Sequence, residues 1–590
     1  MRVLGCCVGM SVALLALGAG CQSGSEPMSS NGGTVGTGGS GAGGAAGTVG
    51  TAGSTGVAGA AGGISGTTGA TGGTTGAAGA GATAGATGGS TAAGRGGAAG
   101  TTAGSGAGSG GGAAGRGGTT GAGGSGSGAL TLTGLMIEMN PKSVLSCFVS
   151  WTTSQASTSV VQFGVGTYQW EISDTAAVTA HRVLVIGMRA QQAYQIKAIS
   201  TNSAGSGSAE GTFTTGTLPA QIPVGQVMIN ETARVEPGWT LMNVQRGQGD
   251  TRARSDFPPY AVMYDSSGQP VWYYVDGTNP DIGGAVSVDL TDKGVLIGAT
   301  WNASITTGTM PIEVDFAGNT LWQCSTAVCG GGKNINHHAS KLSNGNYMLL
   351  ESVTTGGVQN PVFREVSPSN QVVSSLEFAR LVPPPSGSTG DWCHGNAISV
   401  DIANNAMYAN CRYAGLLKTT FTNPTKVWHL QGTYISTRFG DMTFSPTSAA
   451  YSDTHDPDIH ADGTIAFYDN GGYSGSVGGT TSQFRSRIVE YQINETAKTA
   501  TLTWEFPAGA TVPNTWYTNN WYSPFWGGVR RTPNGNYLIA AGIRAPPVES
   551  RVFEVAKSDK KVVWEFRFPP DYGVYRARRI TPPLIRAITP

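Results

Sequence analysis

The sequence predicts an all-β chain: a six-bladed β-propeller preceded by a small β-sandwich and a disordered Gly-rich tether. Three observations predict it. First, between 221 and 590 a polar turn followed by a strand recurs six times, closing on Trp272, Trp322, Leu376, Trp428, Trp504 and Trp564. The intervals of 50, 54, 52, 76 and 60 residues between these positions suit four-stranded blades. Second, an Asn-Gly turn ahead of an apolar run occurs at 342–347 and 532–537, with a weaker Asp-Gly copy at 460–464, each a hairpin signal. Third, residues 22–128 are almost wholly Gly, Ala, Thr and Ser, and from 31 to 128 only Arg95 and Arg116 are charged. Such a segment buries too little apolar surface to offset its ordering entropy.

Taken in order, residues 1–21 read as an export leader. Arg2 is the positive start, Val12 to Leu17 the apolar stretch, and Leu17-Gly18-Ala19-Gly20-Cys21 the small-residue cleavage site. A Cys directly after such a site resembles the lipobox of bacterial lipoproteins, with Cys21 as the lipidated residue. The expected location is therefore outside the cytoplasm, held at a bacterial membrane by lipid alone, in the periplasm or on the cell surface. Past the leader, no run approaches the roughly 18 apolar residues that span a bilayer. The tether, 22–128, should behave as a flexible coil with ends roughly 50–60 Å apart. Residues 129–216 read as a β-sandwich, with strands at 145–151, 159–163, 181–186, 195–200 and 211–214 between turn residues. The runs 149–151, 194–196 and 212–215 resemble a fibronectin type III module, which implies a positioning role. His181 there is a lone structural histidine. The propeller occupies 221–590.

Thirty-five basic and thirty-five acidic side chains leave no net charge and no basic cluster, which argues against a nucleic-acid partner. The sequence is compatible with a homodimer. Export makes disulfides plausible. The expected pairs are Cys324 with Cys329 and Cys393 with Cys411, leaving Cys147 as a buried thiol. After the leader no C-x-x-C spacing marks a redox site.

The stretch that carries chemistry is 391–412, DWCHGNAISVDIANNAMYANCR. Ile398, Val400 and Ile402 alternate, Asn404-Asn405 tolerate positive φ, and Met407 and Tyr408 begin the return strand, so it reads as a hairpin. His394 opens the first strand and Arg412 closes the second, which brings an imidazole and a guanidinium together at one sheet end. That pair suits an anion with tetrahedral oxygens. Cys393 and Cys411 are juxtaposed by the same hairpin. Aligning the turn landmarks adds two residues. His337 lies eight residues before Gly345, His455 eight before Gly463, and Gly527 eight before Gly535. The innermost strand of a blade lines the central channel, so His337, His394 and His455 should converge at one mouth. His338, His429 and His460 lack that registry and read as structural or surface residues.

Three readings fit the converging set: polar filling of the channel, a three-His zinc site, or a nucleophilic His with cationic and amide helpers around a transferable anion. A zinc ion would be opposed by Arg412, with no acidic partner evident apart from Asp456. The third reading uses every residue.

The same residues carry a family resemblance. D-W-x-H-x-N at 391–396 with Arg412 eighteen residues after the His, Asn336-His337-His338 before the 342–346 turn, Thr454-His455-Asp456 before Asp462-Gly463, the run 467–471, the strands 486–491 and 504–507, and Tyr575-Arg576-Ala577-Arg578-Arg579-Ile580 resemble the bacterial arylsulfotransferases that use no nucleotide sulfate donor. The resemblance implies a six-bladed propeller that moves a sulfuryl group from an aryl sulfate donor to a phenolic acceptor through a sulfated His, with no cofactor and no metal. Carried over, His455 matches the nucleophile, and His337, His394 and Arg412 match residues around the sulfate. Asn396 matches a substrate-binding Asn. Two departures stand out. Ala339 replaces an Asp that often follows the family's His pair, and Tyr413-Ala414-Gly415 differs from the usual continuation. Trp516, Tyr517, Trp521, Tyr522 and Trp526 form an aromatic region that could line an acceptor pocket. The alternative function is a non-catalytic surface-anchored propeller that binds anionic or aromatic ligands.

Overall fold

Two long segments, Cys147–Gly164 and Trp170–Val185, contain no internal Gly or Pro and alternate apolar with polar residues, so nothing ends a strand within them. Each forms a single strand in the computed structural model, which describes residues 129–246, 260–275, 287–298, 310–330, 333–471, 486–507, 521–523, 526–542, 550–570 and 572–588, all in one compact unit. The leader, Cys21 and the tether lie outside the described residues. The separate strands expected at 145–151 and 159–163 are thus one strand, whose register shifts between Thr152 and Ser159. It pairs along its length with Trp170–Val185. Its first part also pairs with Leu132–Met139 and its last part with Ala193–Asn202, which pairs in turn with Gly205–Thr214. Val149, Trp151, Val161, Phe163, Val183 and Ile196 fill its core together with Cys147, a free thiol that burial pushes well above its ordinary range. His181 stacks on Trp151 at 4.8 Å and hydrogen-bonds Thr153 and Ser159, so it is satisfied inside this module.

The remaining sheets among the described residues are six, each with four or five strands. Blade one holds Trp239–Arg246, Tyr260–Tyr264 and Pro270–Val275, and takes its innermost strand, Ala577–Ile580, from the far end of the chain. Blades two, three and four take their described strands in chain order, from Val288–Leu290 to Thr320–Gln323, from Asn334–Lys341 to Val372–Glu377, and from Gly395–Asp401 to Lys426–Leu430. Blade five runs from Thr454–Ile459 to Thr499–Phe506, with Thr443–Ser445 added in parallel at its edge. Blade six runs from Gly528–Arg531 to Lys561–Arg567, and Gln226–Asn230 joins its outer edge. Both ends of the propeller segment therefore close the ring, and the six-bladed fold class holds.

The six recurring apolar residues all fall in the fourth strand of a blade, and all are buried. Their position explains the repeat. The indole N–H of Trp272, Trp428, Trp504 and Trp564 donates to Phe316 O, Glu495, Lys557 O and Ser266 O, each on the next blade. Trp322 instead stacks on Tyr347 of blade three at 3.6 Å. The closing aromatic is an inter-blade clasp that combines buried area with a hydrogen bond at the polar tip. The turn landmarks join first to second strands in blades three, five and six, with Gly345 at φ +86° and Gly535 at φ +85°, a region glycine enters without a Cβ clash.

The two cysteine pairs form as expected, Cys324 with Cys329 and Cys393 with Cys411. The N-terminal module is fastened to blades one and two. Lys142 Nζ donates to Gly318 O at 2.9 Å, Arg189 meets Asp265 at 2.7 Å, and Val185 and Met188 share a core with Trp239, Trp272 and Phe316. Arg586–Ala587 returns to pair with Trp170–Val185. No helix among the described residues is long and apolar enough to cross a membrane.

Trp564 clasps the seam between blades six and one. Trp564→Ala should cost about 3–5 kcal/mol of unfolding free energy. Trp564→Phe should cost about 1–2 kcal/mol, by leaving the Ser266 carbonyl without its donor. Urea titration followed by tryptophan fluorescence measures both.

Candidate active site at the propeller mouth

Three innermost strands begin with the same irregularity. The ladder skips between Ile335 and Ala339 in blade three, between Gly395 and Ala397 in blade four, and between His455 and Asp458 in blade five. At each skip a non-glycine residue adopts left-handed φ: His337 at +58°, His394 at +55° and Asp456 at +44°. A bulge of this kind breaks the two-residue alternation and re-aims a side chain. Left-handed φ outside Gly costs of order 1 kcal/mol or more, and such strain collects at functional sites.

The result is one cluster. The His337 and His394 rings lie 5.0 Å apart, centroid to centroid. Tyr575, just ahead of the innermost strand of blade one, lies 5.8 Å from both His337 and His455, and its hydroxyl is 3.2 Å from His337 Nδ1. The hairpin of blade four closes as expected: Arg412 N donates to His394 O at 2.8 Å. The field of Arg412 reaches both His337 and His455. His337, His455 and Arg412 are buried, whereas a quarter of the His394 side chain is exposed, which marks the open side.

Each member is held by a partner that the sequence did not single out. His455 Nδ1 is 2.6 Å from Asn470 Oδ1. The Asn470 amide nitrogen donates to Ser523 O at 2.9 Å and Trp526 O at 2.7 Å, so Oδ1 must face the ring and accept. The His455 proton therefore sits on Nδ1 and the lone pair on Nε2. His394 Nδ1 meets Asp391 Oδ2 at 2.5 Å, and its backbone N–H donates to Asp391 Oδ1 at 2.9 Å. Arg412 Nε donates to the fully buried Asp453 at 2.9 Å. The expectation that only Asp456 could supply an acid here is corrected: Asp391 and Asp453 serve the set, while Asp456 binds guanidiniums.

Asn396 is engaged within the protein. Its amide nitrogen donates to Thr454 O at 2.7 Å, its carbonyl accepts from Asn410 at 2.7 Å, and it is fully buried. It holds the residue before His455. His338 is no surface residue. It accepts from Ile398 N through Nδ1 at 2.8 Å and lies 3.6 Å from Asp289 through Nε2, bridging blades two, three and four. His429 bonds Ala414 O, and His460 bonds Thr464 and Asp458. Of the aromatic region, Trp516 and Tyr517 lie outside the described residues. Trp521 packs in a core between blades five and six, and Trp526 lies 5.6 Å from Tyr575 at the site. On the other side, Tyr413 lies 5.4 Å from His394 and stacks on Tyr434 at 4.3 Å. Sequence reasoning placed Asn470, Asp391, Tyr575 and Arg576 in quoted motifs but gave none of them a role, and it did not name Asp453. Two were within reach: Asn470 follows the strand paired with that of His455, and Asp391 lies three residues before His394.

Burial is the main force on the imidazoles. It pushes His455 well below the ordinary histidine range, helped by Arg412, His394 and Arg576 and opposed by the Asn470 bond. Burial likewise depresses His337, helped by His394, His455, Arg576 and Arg412. Both rings are neutral near pH 7. Among the described residues no group of three or more His, Cys, Asp or Glu side chains could hold a metal ion. The arrangement offers an uncharged nucleophilic nitrogen, a carboxylate-backed imidazole at the open side and a fixed guanidinium.

The arylsulfotransferase (ASST) family matches residues 225–576, well over half of the sequence. The chain belongs to the arylsulfotransferase family. Family membership carries sulfuryl transfer from an aryl sulfate donor to a phenol acceptor, on a β-propeller. No curated protein matches the chain. Among solved structures, similarity extends to a structural genomics protein of unknown function from Bacteroides thetaiotaomicron, with 10% identity over 75% of this chain and 98% of that one and a TM-score of 0.30. A quinonprotein alcohol dehydrogenase-like protein from the same organism has 7% identity over 74% and 94%, also at 0.30. U3-55K has 8% identity over 70% and 96%, again at 0.30. Likeness at that TM-score carries no weight for function.

Two measurements follow from the buried histidines. Above about pH 6.5 they are neutral both folded and unfolded; below it only the unfolded chain takes up their protons. His338 and His429, pushed down mainly by burial to about 4, act in the same direction. The melting temperature should therefore fall as pH drops from 6.5 toward 4, and a flat profile between pH 7 and 5 would contradict the burial argument. In ¹⁵N-histidine NMR, His455 should show a protonated Nδ1 and a bare Nε2 at pH 6, and Asn470→Ala should mix the tautomers.

Proposed function

We propose that this chain is an exported, PAPS-independent arylsulfotransferase that works through a sulfo-histidine at His455 and needs no metal or nucleotide. The observation that carries the reading is the Asn470 bond to His455 Nδ1, which leaves the Nε2 lone pair available beside His337, His394 and Arg412.

The first half-reaction forms a bond from His455 Nε2 to the donor sulfur and breaks the bond from sulfur to the aryl oxygen. The departing phenolate takes a proton from His394, whose ring Asp391 holds through Nδ1. In the second half, an acceptor phenol returns a proton to His394 while its oxygen attacks the sulfur and the N–S bond breaks. Sulfuryl transfer resembles phosphoryl transfer in spreading charge over equatorial oxygens, so placement and charge stabilisation dominate. Arg412, fixed by Asp453, supplies a permanent cation, and His337, neutral and bonded to Tyr575, supplies a hydrogen-bonding nitrogen. Tyr413 with Tyr434, and Trp526 with Tyr575, flank the cluster from two sides and would receive aryl rings. Asn396 acts by positioning Thr454. In this reading Cys21 carries the lipid, 22–128 is a tether, and the fibronectin-like module at 129–216 orients the propeller, which works alone or as a homodimer.

The test is transfer from an aryl sulfate to a phenol. Wild-type protein should turn over, and quenched samples should carry one SO₃ on His455 by mass spectrometry. His455→Ala should lose both signals. Arg412→Lys should lower kcat roughly 10²-fold, the order seen when a positioned transition-state donor is removed. Undiminished transfer by His455→Ala would refute the sulfo-histidine. Sulfate-ester binding without transfer by the wild type would instead favour a non-catalytic ligand-binding propeller.

A further inference from the structure

Arg576 is the charged side chain at this cluster that the scheme above leaves unused. Asn243 Oδ1 pins its backbone N–H at 2.6 Å, beside the innermost strand of blade one. From there the side chain crosses the channel. Nη2 donates to Asn396 O on blade four at 2.8 Å, and Nε lies 3.4 Å from Asp456 Oδ1 on blade five. The side chain is fully buried. Its Cζ stands 5.2 Å over the Tyr575 ring, the ring that touches both His337 and His455. Its full burial, against the part-exposed His394, marks its side of the cluster as the closed one.

Two observations point to Arg576 as an anion ligand. Nη1 is buried without a hydrogen-bond partner. An unmade bond on a buried polar group costs about 1–3 kcal/mol, and more when it is charged. Asp456 is also shared with Arg530 at 2.6 Å and Arg578 at 3.3 Å. Those two meet second carboxylates, Asp458 at 3.8 Å and Asp289 at 2.9 Å, whereas among the described residues Arg576 has Asp456 alone. Burial pulls Arg576 below its ordinary range despite Asp456 and Tyr575, and its field reaches His337 and His455. A tetrahedral oxyanion in the cluster would satisfy the orphan N–H and give Arg576 a second anionic partner.

We propose that Arg576 grips the sulfuryl oxygens from the closed side of the channel, so that the transferring group sits between two guanidiniums, Arg412 and Arg576. The proposal rests on the sulfotransferase reading above and adds a catalytic contact to it. It also makes inorganic sulfate a competitive ligand of the same place.

The experiment compares wild type, Arg576→Gln and Arg576→Lys in aryl sulfate to phenol transfer, with inhibition by inorganic sulfate. Arg576→Gln should lower kcat/KM for the donor by roughly 10²–10³-fold and weaken sulfate inhibition in parallel. The KM for the uncharged phenol should stay near the wild-type value, and Arg576→Lys should recover part of the loss. Equal donor kcat/KM and equal sulfate inhibition in wild type and Arg576→Gln would overturn the proposal. So would a loss that falls equally on donor, sulfate and phenol, which marks a structural role alone. Should the variants fail to fold, wild-type crystals soaked in sulfate decide the matter. Sulfate oxygen within about 3.2 Å of Nη1 supports the contact, and sulfate bound elsewhere, or none, overturns it. If the wild type makes neither product nor sulfo-His455, the functional reading fails separately, and the soaked crystals still decide whether Arg576 is an anion ligand.

Discussion

A carboxylate with no access to water sits where the innermost strands of the propeller meet. Asp456 on blade five takes Arg530 of blade six at 2.6 Å and Arg576 and Arg578 of blade one at 3.4 and 3.3 Å. From Arg578 the contacts pass to Asp289 on blade two at 2.9 Å, then to His338 on blade three, which accepts from Ile398 N on blade four. Arg576 reaches blade four directly through Asn396 O. All six innermost strands are thus tied by one polar network. Removing one partner from a buried pair strands an uncompensated charge at about 3–5 kcal/mol, so such a network holds as a unit or fails as a unit. The aromatic clasps hold the rims of the blades together, while this network fixes their inner edges.

That constraint explains how neighbouring residues acquire opposite jobs. In a regular strand His337 and His338 would face opposite sides of the sheet. With His337 in the left-handed region and the ladder skipping beside it, His337 joins the cluster and His338 the network. His455 and Asp456 repeat the arrangement in blade five, with the left-handed residue one place later. In both blades the bulge and the ion network depend on each other. The strained backbone positions a charged or polar side chain for the network, and the network over-determines the strain. The placement of the imidazoles is thus set by the ion network packed against them.

Much of this was legible in the sequence because it follows from periodicity. Trp272, Trp428 and Trp564 recur where a fourth strand must clasp the next blade, and a hairpin at 395–411 forces His394 onto Arg412. Counting back from Gly345 and Gly463 places His337 and His455 in one channel. What periodicity could not yield is the partner of each residue. Asp453 precedes its own strand, Asn470 follows one, and Arg576 arrives from the far end of the chain to complete the first blade, so no local spacing links it to the histidines. Asn396 stands in a motif that suggests a ligand, and its bond to Thr454 O, made where blades four and five approach, is equally invisible to periodicity. The long strand Cys147–Gly164 was split in the sequence reading because Ser and Thr resemble a turn in composition, although no Gly or Pro interrupts it.

The choice of partner for each imidazole carries the chemical logic. On the proposed reaction His455 must attack as a neutral base and hold a sulfonate, whereas His394 must give up a proton and take one back. A carboxylate on His455 Nδ1 would favour imidazolium and withdraw the lone pair that attacks. Asn470 fixes the same tautomer without adding charge, and burial beside Arg412 keeps the proton off. His394 has the reverse arrangement, with Asp391 on Nδ1 and partial exposure to water, which suits a ring that cycles through its charged form. The Asp often found after the family's His pair is Ala339 here, yet each ring in the cluster has an orienting partner, Tyr575, Asp391 or Asn470. Ala339 therefore removes no orienting group that the cluster uses, and the division of labour among three otherwise identical side chains comes from an amide, a carboxylate and a phenol placed one to each.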